Sequence, residues 1–478
     1  MTKHYISILS NKKRQRKLSN IWNSFKEALA GSSQDYTKIP LNKAVFLLAV
    51  PMVLEMIMES VFAVVDIFFV GKLGADAVAT VGITESVLTI IYAIAFGLSM
   101  ATTALVSRRI GEKKNEEAAK EGMQAIIAGV FVAIIIAIPG MLYAKDLLSL
   151  MGASDTIVNE LSSYTSIMFG GNLVIMLLFI NNAIFRGAGD AAIAMRALWL
   201  ANGLNIILDP LLIFGIGPFP ELGIAGAAVA TNIGRGVAVA FQLYILFKGK
   251  GRVSLKQVPI NIDLKRIRNL FKISFGGIAQ SLIATSSWIF MVRIISNFGS
   301  EVVAGYTIGI RIILFSILPS WGLSNAAATL VGQNLGAGEP KRAEQAVWGV
   351  ARINMIFLGV LSLLFIIFPG WFVTLFTKDV EVVQAGIKCL RIIAYGFMFY
   401  GIGMVMIQAF NGAGDTRTPT RINIVTFWII EIPLAYLMAI TLKMEESGVF
   451  YAIIIAETFM TIFAAYLFRL GRWKKEAV

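Results

Sequence analysis

The residues of this chain able to do chemistry are acids and amides set where water is scarce. Asp66, Glu59 and Glu55 lie in one long apolar stretch. At 100° per residue, Glu55 and Glu59 fall about 40° apart around a helix and Glu59 and Asp66 about 20° apart, so the three form one stripe. In Leu204-Asn205-Ile206-Ile207-Leu208-Asp209-Pro210, Asn205 and Asp209 are four residues apart and share a helix face. Asn202 extends that edge, and Thr231 and Asn232 add oxygens in the next apolar stretch. An ionisable side chain inside a membrane span costs about 2.5–3.5 kcal/mol on insertion scales and is by default a functional candidate. A carboxylate, an amide oxygen and a hydroxyl converging in a dry pocket can bind Na⁺, since hard cations take oxygen ligands. Two carboxylates brought close would instead retain a proton. A structural hydrogen-bond network is the competing reading, and for Asp209 it stays open.

In the first half the basic residues within spans are Arg196 and Arg235, both near span ends, so the stripe is expected to lack buried cationic partners. The second half carries Glu431, Glu457, Arg293, Arg311, Arg352 and Arg391. With both signs available there, structural ion pairing is expected, and Glu431 is kept as a candidate substrate contact. The only histidine is His4, the only cysteine is Cys389, and no HExxH, CxxC or GxSxG segment occurs. That excludes a disulfide framework and the common metal and nucleophile sites, so no enzyme, no cofactor and no metal beyond a transported Na⁺ is expected.

The elements that position these residues are membrane helices. The chain of 478 residues is 57% hydrophobic and 15% charged, with a mean hydropathy of +0.75, and it holds about a dozen apolar stretches of about 20 residues, the length of a membrane span. The stretches are continuous rather than alternating, so they are helices and not barrel strands. Spans are expected near 45–70, 78–106, 121–143, 161–184, 192–215 and 223–247, then near 271–297, 303–331, 346–368, 385–410, 418–442 and 448–469. The fold class expected is an all-α polytopic membrane protein of twelve transmembrane helices in two six-helix lobes related by a pseudo-twofold axis. The domains are a basic cytosolic tail (1–45), an N-terminal lobe (46–247), a linker (248–270), a C-terminal lobe (271–470) and a short tail (471–478). An amphipathic surface helix is expected around Ile21–Leu29, and no signal peptide is expected.

The two lobes are copies. Phe185-Arg186-Gly187-Ala188-Gly189-Asp190 returns 225 residues later as Phe410-Asn411-Gly412-Ala413-Gly414-Asp415, and the same offset carries Gly97-Leu98-Ser99 onto Gly322-Leu323-Ser324 and Gly111 onto Gly336. Six helices per copy place both copies in the same orientation, with a cleft between them as the natural substrate path. The paired glycines suit a tight turn with positive φ, and each aspartate can cap the following helix. A phosphate loop would need a Lys-Ser/Thr and an upstream strand, which are absent. The offset maps Asp66 onto Met291, Glu55 onto Gln280 and Glu59 onto Ala284, so the acidic stripe belongs to the first copy alone.

Net charge is +13. The cations crowd the N-terminal tail (Lys12, Lys13, Arg14, Arg16, Lys17), residues 108–120, residues 248–272 and the C-terminus, with few in the alternate connections. That is the positive-inside pattern rather than a nucleic-acid footprint. It places both termini in the cytoplasm of a protein whose partner is the bilayer.

The segment Val64-Val65-Asp66-Ile67-Phe68-Phe69-Val70-Gly71-Lys72-Leu73-Gly74, the paired Phe-x-Gly-Ala-Gly-Asp segments and Leu335-Gly336-Ala337-Gly338 resemble the multidrug and toxic compound extrusion (MATE) family over about residues 45–470. The resemblance implies antiport at a plasma (bacterial inner) membrane by a monomer, an organic and often cationic compound leaving as Na⁺ or H⁺ enters. It also implies the branch whose coupling site in the N-terminal lobe reads, here, Asp66, Asn205, Asp209 and Thr231. The other branch carries acids in the seventh and tenth spans, where this chain has none. Glu55 and Glu59 go beyond that pattern and stand with Asn202 and Glu431 as candidates for further coupling or substrate contacts. A flippase for lipid-linked saccharides, from a related family, is the alternative; its pyrophosphate substrate would need cationic residues in the cavity.

Overall fold

The computed structural model describes residues 22–476; His4, the Lys12–Lys17 cluster and Ile21 lie outside it. A short helix covers residues 22–30, where the surface helix was expected. The membrane-length helices of the first lobe are α1 (Leu41–Gly71), α2 (Ala75–Gly111), α3 (Asn115–Leu142), α4 (Ile157–Ala188), α5 (Ala191–Phe214) and α6 (Ile224–Lys248). Those of the second are α7 (Leu264–Ile295), α8 (Ser300–Gly336), α9 (Pro340–Ile367), α10 (Val380–Ala394 and Phe397–Ala413), α11 (Arg417–Thr441) and α12 (Glu445–Arg469). The molecule is all-α among the described residues, as the apolar runs require.

Helix α1, at 31 residues, is about 46 Å long at 1.5 Å per residue, enough to cross a hydrocarbon core of about 30 Å. Helix α7 begins at Leu264, well inside the segment read as linker, because Asp263 caps it: its carboxylate accepts from the amides of Lys265 (3.0 Å) and Arg266 (3.1 Å). The expected span 385–410 is not one rod. It breaks after Ala394 and its halves meet at 60°, and the matching helix of lobe one changes segment at Gly170–Gly171, in register with Gly396 of lobe two at the same offset.

The bilayer explains the outer surface. On α3 the exposed residues are Phe131, Ile135, Ile138 and Leu142, and on α9 they are Ile356, Val360, Leu363 and Ile367. These are the same positions in the two copies, and both runs are apolar stripes at helical spacing.

The lobes exchange helices: α1 packs on α8, α7 packs on α2, and α2 crosses α8. The α2–α8 crossing lies at the end of the molecule that carries the linker and the chain ends. A Cβ on Gly111 would lie 2.0 Å from the Gln333 carbonyl oxygen, and one on Gly336 would lie 2.2 Å from that of Arg108. Only glycine permits this approach. Around it the duplicated Gly-Ala-Gly turns act as reciprocal latches. The Arg108 guanidinium donates to the Ala413 carbonyl (3.3 Å), and the Gln333 amide donates to the Gly187 carbonyl (2.9 Å); 108 and 333 are again 225 apart.

The turns have the expected geometry, with φ of 89° at both Gly189 and Gly414. The expected capping holds only in lobe two, where Asp415 accepts from the Thr418 amide (3.0 Å). In lobe one Asp190 makes no cap. It accepts instead from the Arg252 backbone amide (2.7 Å) and pairs with the Arg252 guanidinium (3.3 Å), because the linker cation competes for it.

The termini close over the latches. Tyr36 donates to the Gly189 carbonyl (3.1 Å), Arg252 donates to the carbonyls of Ser32 (2.6 Å) and Gln34 (2.8 Å), and Arg342 of lobe two donates to the carbonyls of Tyr36 and Ile39. Burial raises the Asp35 carboxyl, but the Lys113 ammonium at 2.6 Å and the Thr37 hydroxyl and amide outweigh it and hold the group down at about 2. At the other end of the chain Trp473 is fully buried, and the Glu476 carbonyl accepts from Arg108 (2.8 Å).

Candidate functional site

Helices α1, α5 and α6 build the polar heart of lobe one. The Asn205 amide nitrogen donates both to Asp209 Oδ1 (3.1 Å), one turn along α5, and to Thr231 Oγ1 (3.1 Å) on α6. Those three residues, read from separate stretches of sequence, are therefore in direct contact. Asn205 Oδ1 and Asp209 Oδ2 are buried with no hydrogen-bond partner, so two acceptor oxygens remain where a donor or a cation would complete the site. Asp66, half-buried on α1, makes no hydrogen bond among the described residues; it lies within Coulomb reach of Asp209, Glu85 and Arg235. Asn232, beside Thr231, turns elsewhere and donates to the Ile167 carbonyl (3.1 Å).

The rest of the acidic stripe does not stand unpaired, which corrects the expectation of a first lobe without buried cations. Glu55, 1% exposed, meets the Arg186 guanidinium at 3.2 Å and accepts from the Asn182 amide at 3.2 Å. Glu59 accepts from the Asn202 amide (3.0 Å) and pairs with Arg235 at 3.7 Å. Arg235 is itself buried and reaches the Tyr92 hydroxyl at 3.4 Å. Arg235 was read as lying near a span end; it is buried beside the stripe because α6 packs its inner face towards α2 and α1. Arg186 was passed over because it sits in the repeated turn segment, although the repeat already showed it replaced by Asn411.

The structure shows what that replacement does. In lobe two the positions equivalent to Glu55 and Arg186 are Gln280 and Asn411, and their amides exchange two hydrogen bonds, 3.1 and 3.2 Å. One contact between the first and fourth helices is kept in both copies, as an ion pair in one and an amide pair in the other. Glu85 was also missed. The same offset would have found it, since it maps onto Ile310.

Between the lobes lies a cavity of about 350 Å³ lined by residues of both. Glu55, Glu59, Arg186 and Arg235 contribute its charges; Tyr92, Phe96, Phe179 and Trp321 its aromatic surface; Asn182, Asn325, Gln408 and Asn411 its amides. Asp66, Asp209 and Thr231 do not line it, so the cation candidates and the cavity are adjacent but separate. Glu59 links them through Arg235.

Glu431 lies outside the cavity lining as well. The ion pairing expected in lobe two is not found: Glu431 and Glu457 make no salt bridge among the described residues, while Arg293, Arg311, Arg352 and Arg391 are exposed. None of them reaches the two acids, and Arg311 acts instead on Glu85 of lobe one.

The comparisons agree with this architecture. The MatE family model matches residues 51–211 and 278–437, one match per lobe. The chain is 26% identical over 453 residues to the Thermotoga maritima protein named "Probable multidrug resistance protein NorM", covering 92% of this chain and 94% of that one. It is 24% identical over 438 residues to the Staphylococcus aureus "Multidrug export protein MepA", covering 91% and 95%, and 27% identical over 400 residues to the Shewanella oneidensis "FAD transporter", covering 83% and 88%. Among solved structures it is similar to an outward-facing conformation of a multidrug resistance MATE family transporter, with a TM-score of 0.86 at 25% identity over 92% of this chain and 98% of that one. Two six-helix copies, a polar cavity between them and a family match in each lobe lead to one conclusion: the chain belongs to the MatE family of multidrug and toxic compound extrusion transporters and is a membrane transporter, not an enzyme.

Proposed function

We propose that this protein is a secondary active antiporter that exports amphipathic organic cations in exchange for Na⁺ or H⁺, and that its coupling site is the pocket of Asp66, Asn205, Asp209 and Thr231. The observation that carries this reading is the Asn205 amide bridging Asp209 and Thr231 while Asn205 Oδ1 and Asp209 Oδ2 stay buried and unpartnered beside Asp66. A cation or proton entering there neutralises adjacent carboxylates that no arginine pairs directly. Glu59, tied to Asn202 and to Arg235, which also acts on Asp66, connects that event to the cavity wall.

Both termini lie in the cytoplasm of a bacterial inner membrane on this reading, so the latched end is the cytoplasmic one and the arrangement is outward-facing. Ion binding repacks α1, which contains Pro51, and substrate is released; the lobes then rock to open the other end. The protein works as a monomer. The flippase alternative is disfavoured by the cavity, because Arg186 and Arg235 are already engaged by Glu55 and Glu59 and no other cationic side chain lines it among the described residues.

The test is ethidium efflux from proteoliposomes under a Na⁺ gradient and a pH gradient imposed separately. Efflux driven by one gradient, and falling to the protein-free background in Asp66→Asn and in Asp209→Asn at unchanged protein levels, is expected. Wild-type efflux by Asp66→Asn sinks the mechanism.

A further inference from the structure

Lobe two contains a second acidic pair that the transport reading does not use. Glu431 on α11 is 6% exposed, and its Oε2 has no hydrogen-bond partner. Glu457 on α12 has its Oε2 buried and equally unpartnered. Glu457 lies within Coulomb reach of Glu431, and no basic side chain acts on either. The groups facing them are the Tyr400 hydroxyl of α10, within reach of both, and the Tyr306 hydroxyl of α8, within reach of Glu431. Thr426, five residues before Glu431 and so one π turn away on the same helix, is fully buried with its hydroxyl unpartnered.

The backbone explains how the pair is placed. Pro433 has no amide hydrogen to return to the preceding turn, and α11 widens to π geometry over Ile424–Glu431. A π segment holds one residue more than the α turn it replaces, and such segments recur at functional sites. Helix α11 (Arg417–Thr441) starts 226 residues after α5 (Ala191–Phe214), so Glu431 falls on Asn205. The connection into α12 is shorter than the one into α6, and α6 (Ile224–Lys248) and α12 (Glu445–Arg469) are 221 residues apart at both ends, which sets Glu457 beside the position of Arg235 rather than that of Thr231. Where lobe one sets an amide on α5 and a guanidinium on α6, lobe two has two acids.

We infer that Glu431 and Glu457 form a second cation site, in lobe two, which holds one monovalent cation, H⁺ or Na⁺, between the two carboxyls. Two ionised carboxylates side by side in a low-dielectric interior repel and lose their hydration, so the pair is stable only with a proton or a cation shared between them. Tyr400 and Thr426 supply the neutral oxygens that complete either occupant's shell.

The test reads occupancy without transport, so its failure is distinct from a failure of antiport. Infrared difference spectra are recorded on the full chain reconstituted in lipid, over a pH series and over a NaCl series at fixed pH. The expected result is a protonated-carboxyl C=O band that changes with pH, persists in Asp66→Asn/Asp209→Asn, and is lost in Glu431→Gln and in Glu457→Gln. Displacement of the band by Na⁺ shows competition between the two cations, and indifference to Na⁺ identifies a proton site; either supports the inference. The inference is overturned if both glutamine variants reproduce the wild-type spectra, or if the Glu431/Glu457 band responds to neither pH nor Na⁺, which would mark a permanently neutral structural pair. The wild-type titration stands by itself should one variant not fold, and the other variant then assigns the band.

Discussion

At the scale of the residue, the contact between the first and fourth helices shows how a duplicated fold changes charge without changing packing. The Glu55–Arg186 pair and the Gln280–Asn411 pair occupy equivalent positions. Removing one member of a buried ion pair costs about 3–5 kcal/mol, because the other charge is left uncompensated. Glu55→Gln and Arg186→Asn are each expected to lower thermal stability in detergent by an amount of that order. The double variant, which rewrites lobe one with the amide pair of lobe two, is expected to recover most of it. Losses that simply add in the double variant would show that the two contacts are not interchangeable.

At the scale of the element, α1 carries both the acidic stripe and Pro51, one helical turn before Glu55. The missing amide hydrogen weakens the helix there by up to about 3 kcal/mol, which makes Pro51 the natural bending point of the helix that repacks in the proposed mechanism. Pro51→Ala restores the backbone hydrogen bond and favours the straight form. The expected outcome is a several-fold slower efflux in the proteoliposome assay, with binding of ethidium close to wild type and a melting temperature at or above it. Unchanged efflux would move the hinge elsewhere in α1.

At the scale of the whole molecule, closure of the terminal-bearing end rests on backbone meeting backbone at Gly111 and Gly336 and on the reciprocal latches from Arg108 and Gln333. A Cβ at residue 336 would meet the Arg108 carbonyl at 2.2 Å and the Glu112 amide at 3.0 Å, and neither can yield without separating the lobes. Overpacking of this kind costs about 1–3 kcal/mol, charged wholly against the closed state. Gly336→Ala is therefore expected to populate the conformation opened at this end, by about tenfold for each ~1.4 kcal/mol. Maleimide labelling reads this directly. Cys389 is fully buried, so a cysteine replacing the buried Ala413 at the latch reports alone, and its labelling should accelerate in Gly336→Ala. An unchanged labelling rate would mean that the crossing does not govern closure.

The sequence by itself determined the twelve-helix, two-copy architecture, because burial in a bilayer leaves a chain this apolar no alternative to helices and a duplication fixes its own symmetry. It also singled out Asn205, Asp209 and Thr231, since spacing along a helix and a polar residue in an apolar run are local facts. What it did not contain was the neighbour across the bundle. Arg186 and Arg235 reach Glu55 and Glu59 only because α4 and α6 pack towards α1. Asp190 gives up its helix cap only because the linker returns Arg252 to it. Glu431 and Glu457 were expected to have arginine partners, and the fold leaves the candidate arginines exposed, with Arg311 facing Glu85 of lobe one, instead. The depth of a charge can be read from one helix, but its partner is set by which faces of several helices meet. In this protein that packing decided which carboxylates meet a cationic side chain and which are left without one.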